Sequence, residues 1–202
     1  MTRSALLLCA AVSLATATPA LAQTVTNPAS VTAGTYAIEP GHTQIGFSVL
    51  HFGFTWYSGS FSNVSGKLSL DPKKPAASEL SVTIPITSVQ TTSDKLTSEL
   101  KDADWFDAAK FPDATFVSTS VVPTGKGEAT VTGNLTLHGV TKTETLKVKF
   151  LGAGTNPIDH KYTVGFDAAG IIKRSDFGVT KYVPYVSDEV RLHIAGAFEK
   201  QD

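Results

Sequence analysis

Two histidines, His42 and His51, stand nine residues apart in the stretch GHTQIGFSVLHFGFTW at 41–56. Histidines in such a setting could ligate a metal ion or a haem. Their spacing argues against a shared ion. Ile45, Phe47 and Val49 alternate with smaller or more polar neighbours, the period of a β-strand, and an odd separation on a strand puts two side chains on opposite faces. Nine steps also carry them roughly 30 Å apart, whereas metal–ligand bonds are about 2 Å long. Parity places His51 on one face with Ile45, Phe47 and Val49, and leaves His42 at the strand's entrance. His138 falls in a hairpin turn before Gly139, His160 opens a strand, and His193 is out of phase with Leu192 and Ile194. His51 is therefore the one histidine expected to look inward. One axial ligand can hold a haem, so a haem- or metal-dependent redox or stress protein using His51 is the alternative reading.

Other catalytic sets fare less well. The segment YSGSF at 57–61 lacks the first glycine of a G-x-S-x-G nucleophile elbow and sits in a strand pattern. Glu99, Asp102, Asp104 and Asp107 cluster on a helix and its exit, where a solvated face accounts for them. No P-loop, G-x-G-x-x-G or zinc spacing occurs. The expectation is a protein that is not an enzyme.

The elements that must position these residues are mostly strands. Period-2 alternation recurs over 43–52, 57–71, 78–87, 113–123, 127–138, 140–152, 160–173 and 186–199, with turn residues between. One wet and one apolar face per strand is the mark of antiparallel sheet. Eight such strands fit an up-and-down barrel, which has no open edges, with a two-sheet sandwich as the other arrangement. One stretch departs from the pattern. Ser93 is an N-cap candidate, and Leu96, Leu100 and Ala103 recur at helical spacing, which predicts a helix of about three turns over 93–104. Trp105, Phe106 and Phe111 bunch just after it. The apolar face mixes Phe47, Phe116 and Phe166 with Ser118, Gly133 and Gly196. Small residues there either leave room for a ligand or receive the aromatic rings.

The start of the chain sets an expected compartment. Arg3, an apolar run over 5–15 and Ala20-Leu21-Ala22 predict a secretory signal peptide over 1–22, cleaved after Ala22. The run is too short to span a bilayer as a helix, so no integral span is expected after cleavage. The single cysteine, Cys9, lies inside that leader, which leaves the remainder without disulfides or thiolate ligands. Residues 23–34 are polar and small and read as a flexible N-terminal tether, with the folded domain over 35–202. A formal net charge of −1 over the chain argues against a nucleic-acid partner.

Six motifs, in order, then resemble one family. They are Y-x-I-x-P-x-H-T-x-I-x-F-x-V-x-H from Tyr36 to His51, G-S-F-x-x-V-x-G-x-L-x-L-D from Gly59 to Asp71, and S-D-K-L from Ser93 to Leu96. W-F-D-x-x-x-F-P-x-A-x-F-x-S follows from Trp105 to Ser118, G-N-L-T-L-H-G-V-T from Gly133 to Thr141, and R-S-D-F-G from Arg174 to Gly178. The pattern resembles the YceI-like family, secreted bacterial proteins of lipocalin-like barrel fold that bind polyisoprenoids or other long-chain lipids. Thr43 stands where the family usually has serine, and FGFTWYS at 52–58 is unusually aromatic.

The resemblance implies an all-β, eight-stranded antiparallel lipocalin-like barrel with the short helix between strands three and four. It implies a periplasmic carrier whose interior takes an isoprenoid, an isoprenoid quinone or a fatty-acid-like lipid, with no other cofactor. Phe47, Val49 and His51 are then expected to line the tunnel with Val82, Ile84, Phe116, Val164 and Phe166. Trp105, Phe106 and Phe111 would close or gate one end. Whether two barrels pair as a homodimer is left open.

Overall fold

The computed structural model describes residues 24–202; the expected leader and its cleavage after Ala22 lie outside the described residues. Eleven strand segments build eight staves. β1 (Gly34–Ile38) and β2 (Gln44–His51) are two halves of one stave. They are parted at 39–43, where Pro40 has no amide hydrogen to give a ladder. β3 (Thr55–Phe61) and β4 (Ser65–Leu70) make the next, bent where Asn63 takes a left-handed φ of 54°. β5 (Glu79–Pro85) and β6 (Gln90–Thr91) form the third. β7 (Asp113–Gly125), β8 (Glu128–Leu137), β9 (Val140–Thr155), β10 (Tyr162–Lys173) and β11 (Glu189–Lys200) supply the other five.

All pairings are antiparallel, in the order β1-β4-β5-β7-β8-β9-β10-β11, and β1 returns to β11 to close the ring. Closure rests on β1, which pairs Tyr36 with Leu68 of β4 on one side and Ile38 with Phe198 of β11 on the other. At the other half of its stave, β2 continues along β11 through Phe47 and Leu192, and β3 follows β2. The result is the closed barrel rather than the sandwich. One end, here the upper, carries the 52–54 turn, the 92–112 segment, the 138–139 turn and the 174–188 loop. The lower end carries 24–33, 71–78, 126–127 and 156–161.

Three expectations are corrected. The helix α1 covers only Asp94–Glu99, capped by Ser93 Oγ accepting from the Leu96 amide. No basic residue stands in its last turn, and Asp102 and Asp104 follow, which opposes the negative end of the helix dipole. The chain instead turns back on itself, the Phe106, Asp107 and Ala108 amides donating to the carbonyls of Leu100, Asp102 and Lys101. The second correction is the stave over 57–71, which is divided at 62–64. The third concerns 23–34. From Thr24 on, these residues pack on the barrel and do not form a loose tether. Val25 and Ala153 exchange backbone hydrogen bonds of 2.6 and 2.9 Å, and the Thr32 amide donates to the Tyr162 hydroxyl. The Tyr36 hydroxyl in turn donates to the Thr32 carbonyl.

Candidate functional site

The barrel encloses a cavity of about 820 Å³. Such a volume lies within the usual range for a small-ligand site. Its wall is the inward face of the staves, and the parity of β2 holds: Ile45, Phe47, Val49 and His51 all border it. Val82 and Ile84 face it from β5, Phe116 from β7 and Phe166 from β10. Trp105 and Phe106 reach it from the segment after α1, as expected of residues at one end.

Two expected residues do not reach the cavity. Phe111 lies outside the 138–139 turn, edge-on to the His138 ring at 4.9 Å and close over Gly139. The segment's tight turns place Trp105 and Phe106 inward, and by Phe111 the chain is already entering β7 at the barrel wall. Val164 does face inward, but it is fully buried in the core near the lower end, between its cross-strand neighbours Ala153 and Phe198. Its short side chain is enclosed there and does not border the cavity.

The lumen stays open because rings lie along its wall. A Cβ on Gly59 would sit 2.4 Å from Phe47 Cζ, and one on Gly133 would sit 2.4 Å from Phe116 Cζ. Each phenyl ring therefore occupies space that only glycine leaves. A side chain at either position would push its ring toward the centre. The small residues of the apolar face thus receive aromatics, and by receiving them preserve the cavity.

Polar groups gather at the upper end. Arg174, 5 % exposed, borders the cavity and donates Nε to Ser187 O at 3.0 Å. Its Nη1 donates to the Val179 and Lys181 carbonyls at 2.9 and 2.8 Å, and Nη2 to Val186 O at 2.8 Å. Burial lowers the pKa of this guanidinium, against the opposing attraction of Asp188. Asp188 itself takes the Ser175 amide and hydroxyl at 2.9 and 2.7 Å. One buried cation thus ties the loop over 178–188 into a collar. Trp105 packs beneath, its ring 5.9 Å from the Arg174 guanidinium, and its Nε1 is buried without a hydrogen-bond partner among the described residues. Lys181 joins the collar to the 92–112 segment through a 3.0 Å pair with Asp104.

Glu144 is a further polar residue of the wall. It shares the inward register of Leu146, Val148 and Phe150 on β9. Burial raises its pKa, and the nearby Asp176 carboxylate raises it further. The parity that marked Leu146 and Val148 as inward would have found Glu144 as well. Arg174 left a weaker signal, a lone arginine just before a Gly178 that adopts φ 78°. At the lower end Asn27, Pro28, Ala29 and Val31 border the cavity, so the N-terminal segment serves as its floor.

His51 stands exposed at the rim, its ring edge-on to Phe52 at 4.4 Å. His42 lies outside the strand, 2.6 Å from Glu39 Oε2. Among the described residues no three His, Cys, Asp or Glu side chains converge as a metal site would require. Glu99 borders the cavity, whereas Asp104 is engaged by Lys181 at the surface.

Known proteins are similar to this chain in sequence and fold. Protein YceI of Salmonella arizonae is 40% identical over 177 residues, 87% of this chain and 92% of the relative. BcnA of Burkholderia cenocepacia superposes with a TM-score of 0.72 at 29% identity, covering 79% of this chain and 98% of that one. YceI protein of Campylobacter jejuni gives 0.64 at 32% identity, over 71% and 85% of the two chains. A polyisoprenoid binding domain from Saccharophagus degradans shares the fold at a TM-score of 0.59 and 16% identity, covering 84% of this chain and all of that one. The YceI-like domain model matches residues 36–198, from the stave that closes the ring to the stave it closes upon. With barrel, motifs and relatives in agreement over that span, the chain belongs to the YceI-like family.

Proposed function

We propose that this protein is a binding protein that holds one long apolar molecule, a polyisoprenoid, isoprenoid quinone or fatty-acid-like lipid, inside the barrel without acting on it chemically. The observation that carries the reading is the cavity itself, bordered by aliphatic and aromatic residues from the 24–33 floor to the collar. A chain ligand there gains about 25 cal/mol for each Å² of apolar surface removed from water and needs few directional partners. The Saccharophagus degradans domain named for polyisoprenoid binding is built on the same fold. Export to the periplasm through the 1–22 leader is part of the proposal, and N-terminal sequencing of the secreted protein should begin at Gln23. No helix among the described residues is long and apolar enough to cross a membrane.

Native mass spectrometry of the purified protein tests the cargo. The expected result is a mass increment that organic extraction removes and identifies as a lipid. Val82→Trp and Phe166→Trp, which put indoles into the cavity, should lower that occupancy while the barrel stays folded. Unchanged occupancy in both would displace the ligand from this cavity. A Soret band abolished by His51→Ala would instead establish the haem reading.

A further inference from the structure

We propose that the aromatic tip beside the collar is a docking surface for a lipid bilayer. It rests, for its use, on the lipid-holding reading above. The tip is the β2–β3 turn, Phe52-Gly53-Phe54, together with Trp56 and Tyr185. Phe54 is 84% exposed and Tyr185 68%, with Phe52 and Trp56 about half exposed. Phe52 lies 6.5 Å from Phe54 and 6.2 Å from Tyr185, ring centre to ring centre, so these three form one surface, and Trp56 follows on the same hairpin, paired with Leu50. The Arg191 guanidinium sits 3.8 Å over the Trp56 ring.

The fold does not explain these residues. Phe52 and Gly53 both take positive φ, 50° and 74°, as the central pair of a turn closed by the Phe54 amide donating to His51 O, positions that Asn-Gly fills best. A bulky residue in that conformation is strained, and exposing a phenyl ring beside it gains nothing in water. The tip is also held still. The Phe52 amide donates to Tyr185 O at 2.8 Å, and Leu50 exchanges bonds with Ser187 through its carbonyl and amide at 2.9 Å each. These bonds tie the backbone that carries Phe52 to the backbone that carries Tyr185.

Shape selects the partner. A Cβ on Gly53 would meet nothing among the described residues within 4 Å, so the turn projects into open space. A stable protein interface buries about 800 Å² on each partner, which a convex turn cannot supply. A bilayer interface deforms around a few side chains and favours tryptophan, tyrosine and phenylalanine at headgroup depth with arginine beside them. The surface is continuous with the cavity, since His51 and Tyr57, on the same hairpin, border it. A lipid leaving past the collar would emerge at the membrane.

Flotation of purified, lipid-stripped protein with phosphatidylethanolamine–phosphatidylglycerol vesicles tests this. Wild type should float with the vesicles, and Phe52→Ser/Phe54→Ser should lose at least tenfold in partitioning at unchanged Tm. Ile158→Ser, which removes an isoleucine 88% exposed at the lower end, should float as wild type does. Flotation that is absent in wild type, or equal in the double variant, overturns the proposal. So does a wild-type dimer that the double variant dissolves, since the patch would then be covered by a second copy. The two readings separate: stripped protein that binds vesicles, from a preparation that held no extractable lipid before stripping, leaves the docking surface standing and removes the carrier.

Discussion

Arg174→Met is the sharpest perturbation of the collar. The substitution keeps an extended, apolar-stemmed side chain but removes the donors that satisfy four backbone carbonyls, those of Val179, Lys181, Val186 and Ser187. A hydrogen bond to a charged group is worth about 1.5–3 kcal/mol, and a buried acceptor left unpaired costs about 1–3 kcal/mol. Against this stands the burial that lowers the pKa of the guanidinium, a desolvation cost the variant no longer bears. Water reaching the outer carbonyls of Lys181 and Ser187 offsets more. The net expectation is about 3–5 kcal/mol, the usual cost of breaking a buried ionic cluster from one side. For a chain of this size each kcal/mol moves Tm by about 2–4 °C, so Tm should fall by about 6–20 °C. Arg174→Lys should recover little, because an ammonium has three donors and no planar fork. Urea denaturation gives the energy, and hydrogen exchange gives the place. Amides over 178–188 should lose protection before those of β9 and β10. A Met variant within 1 kcal/mol of wild type, or one whose exchange rises evenly over the barrel, would refute the collar.

Gly59→Ala should drive the Phe47 ring from the wall, since the new methyl would stand 2.4 Å from Cζ and 2.8 Å from the Gln90 carbonyl. Overpacking of this kind costs about 1–3 kcal/mol, and adding Phe47→Leu should restore part of both stability and lipid occupancy in native mass spectrometry. Glu144→Gln should stabilise the protein at neutral pH. Burial, then Asp176, raises the folded pKa of this carboxyl, so the folded state binds more protons and stability falls as pH rises from the unfolded pKa through the folded one; the gain from glutamine should vanish in urea melts at acid pH. Burial, then Tyr162, pushes Tyr36 up to about 12 from 10.0. That shift is worth roughly 2–3 kcal/mol, present below pH 10 and lost as pH climbs through about 12. Tyr36→Phe should flatten this alkaline loss in a pH series of denaturation curves, at the cost of the hydroxyl's bond to Thr32.

Strand parity made much of the barrel legible. The inward stripe from Ile45 to His51 and the apolar runs of β7 to β11 needed only the period of two, because antiparallel staves with one wet face write that period into their residues. What parity could not show was connection in three dimensions. β1 is five residues long and follows a polar segment, and nothing local says that Tyr36 will be flanked by Leu68 and Lys200 at once. The N-terminal floor was hidden for the same reason. Its hydrogen bonds run to Ala153 and Tyr162, more than a hundred residues away. Apolar spacing continues through Ala103, past the helix's end at Glu99, while the acidic residues that follow are weak signals singly. Arg174 was legible as a residue of a motif but not as a collar, since its partners are backbone carbonyls, which any sequence supplies.

The cavity was the hardest feature to read, and the reason bears on its use. An eight-stave barrel is at the size where side chains can either fill the interior or leave room for one small ligand. Composition does not decide between these. Phe47 and Phe116 could fill much of the lumen if they stood upright, and the sequence would look the same. They lie down because Gly59 and Gly133 offer the space beside them, a pairing made across strands. Those glycines give up side-chain packing and weaken a strand interior. A barrel shaped only for stability would gain from larger residues there with smaller aromatics opposite. The paired choice of glycine and phenylalanine keeps aromatic surface available to a ligand and keeps the volume open. It is the arrangement expected where the interior is used and not merely enclosed.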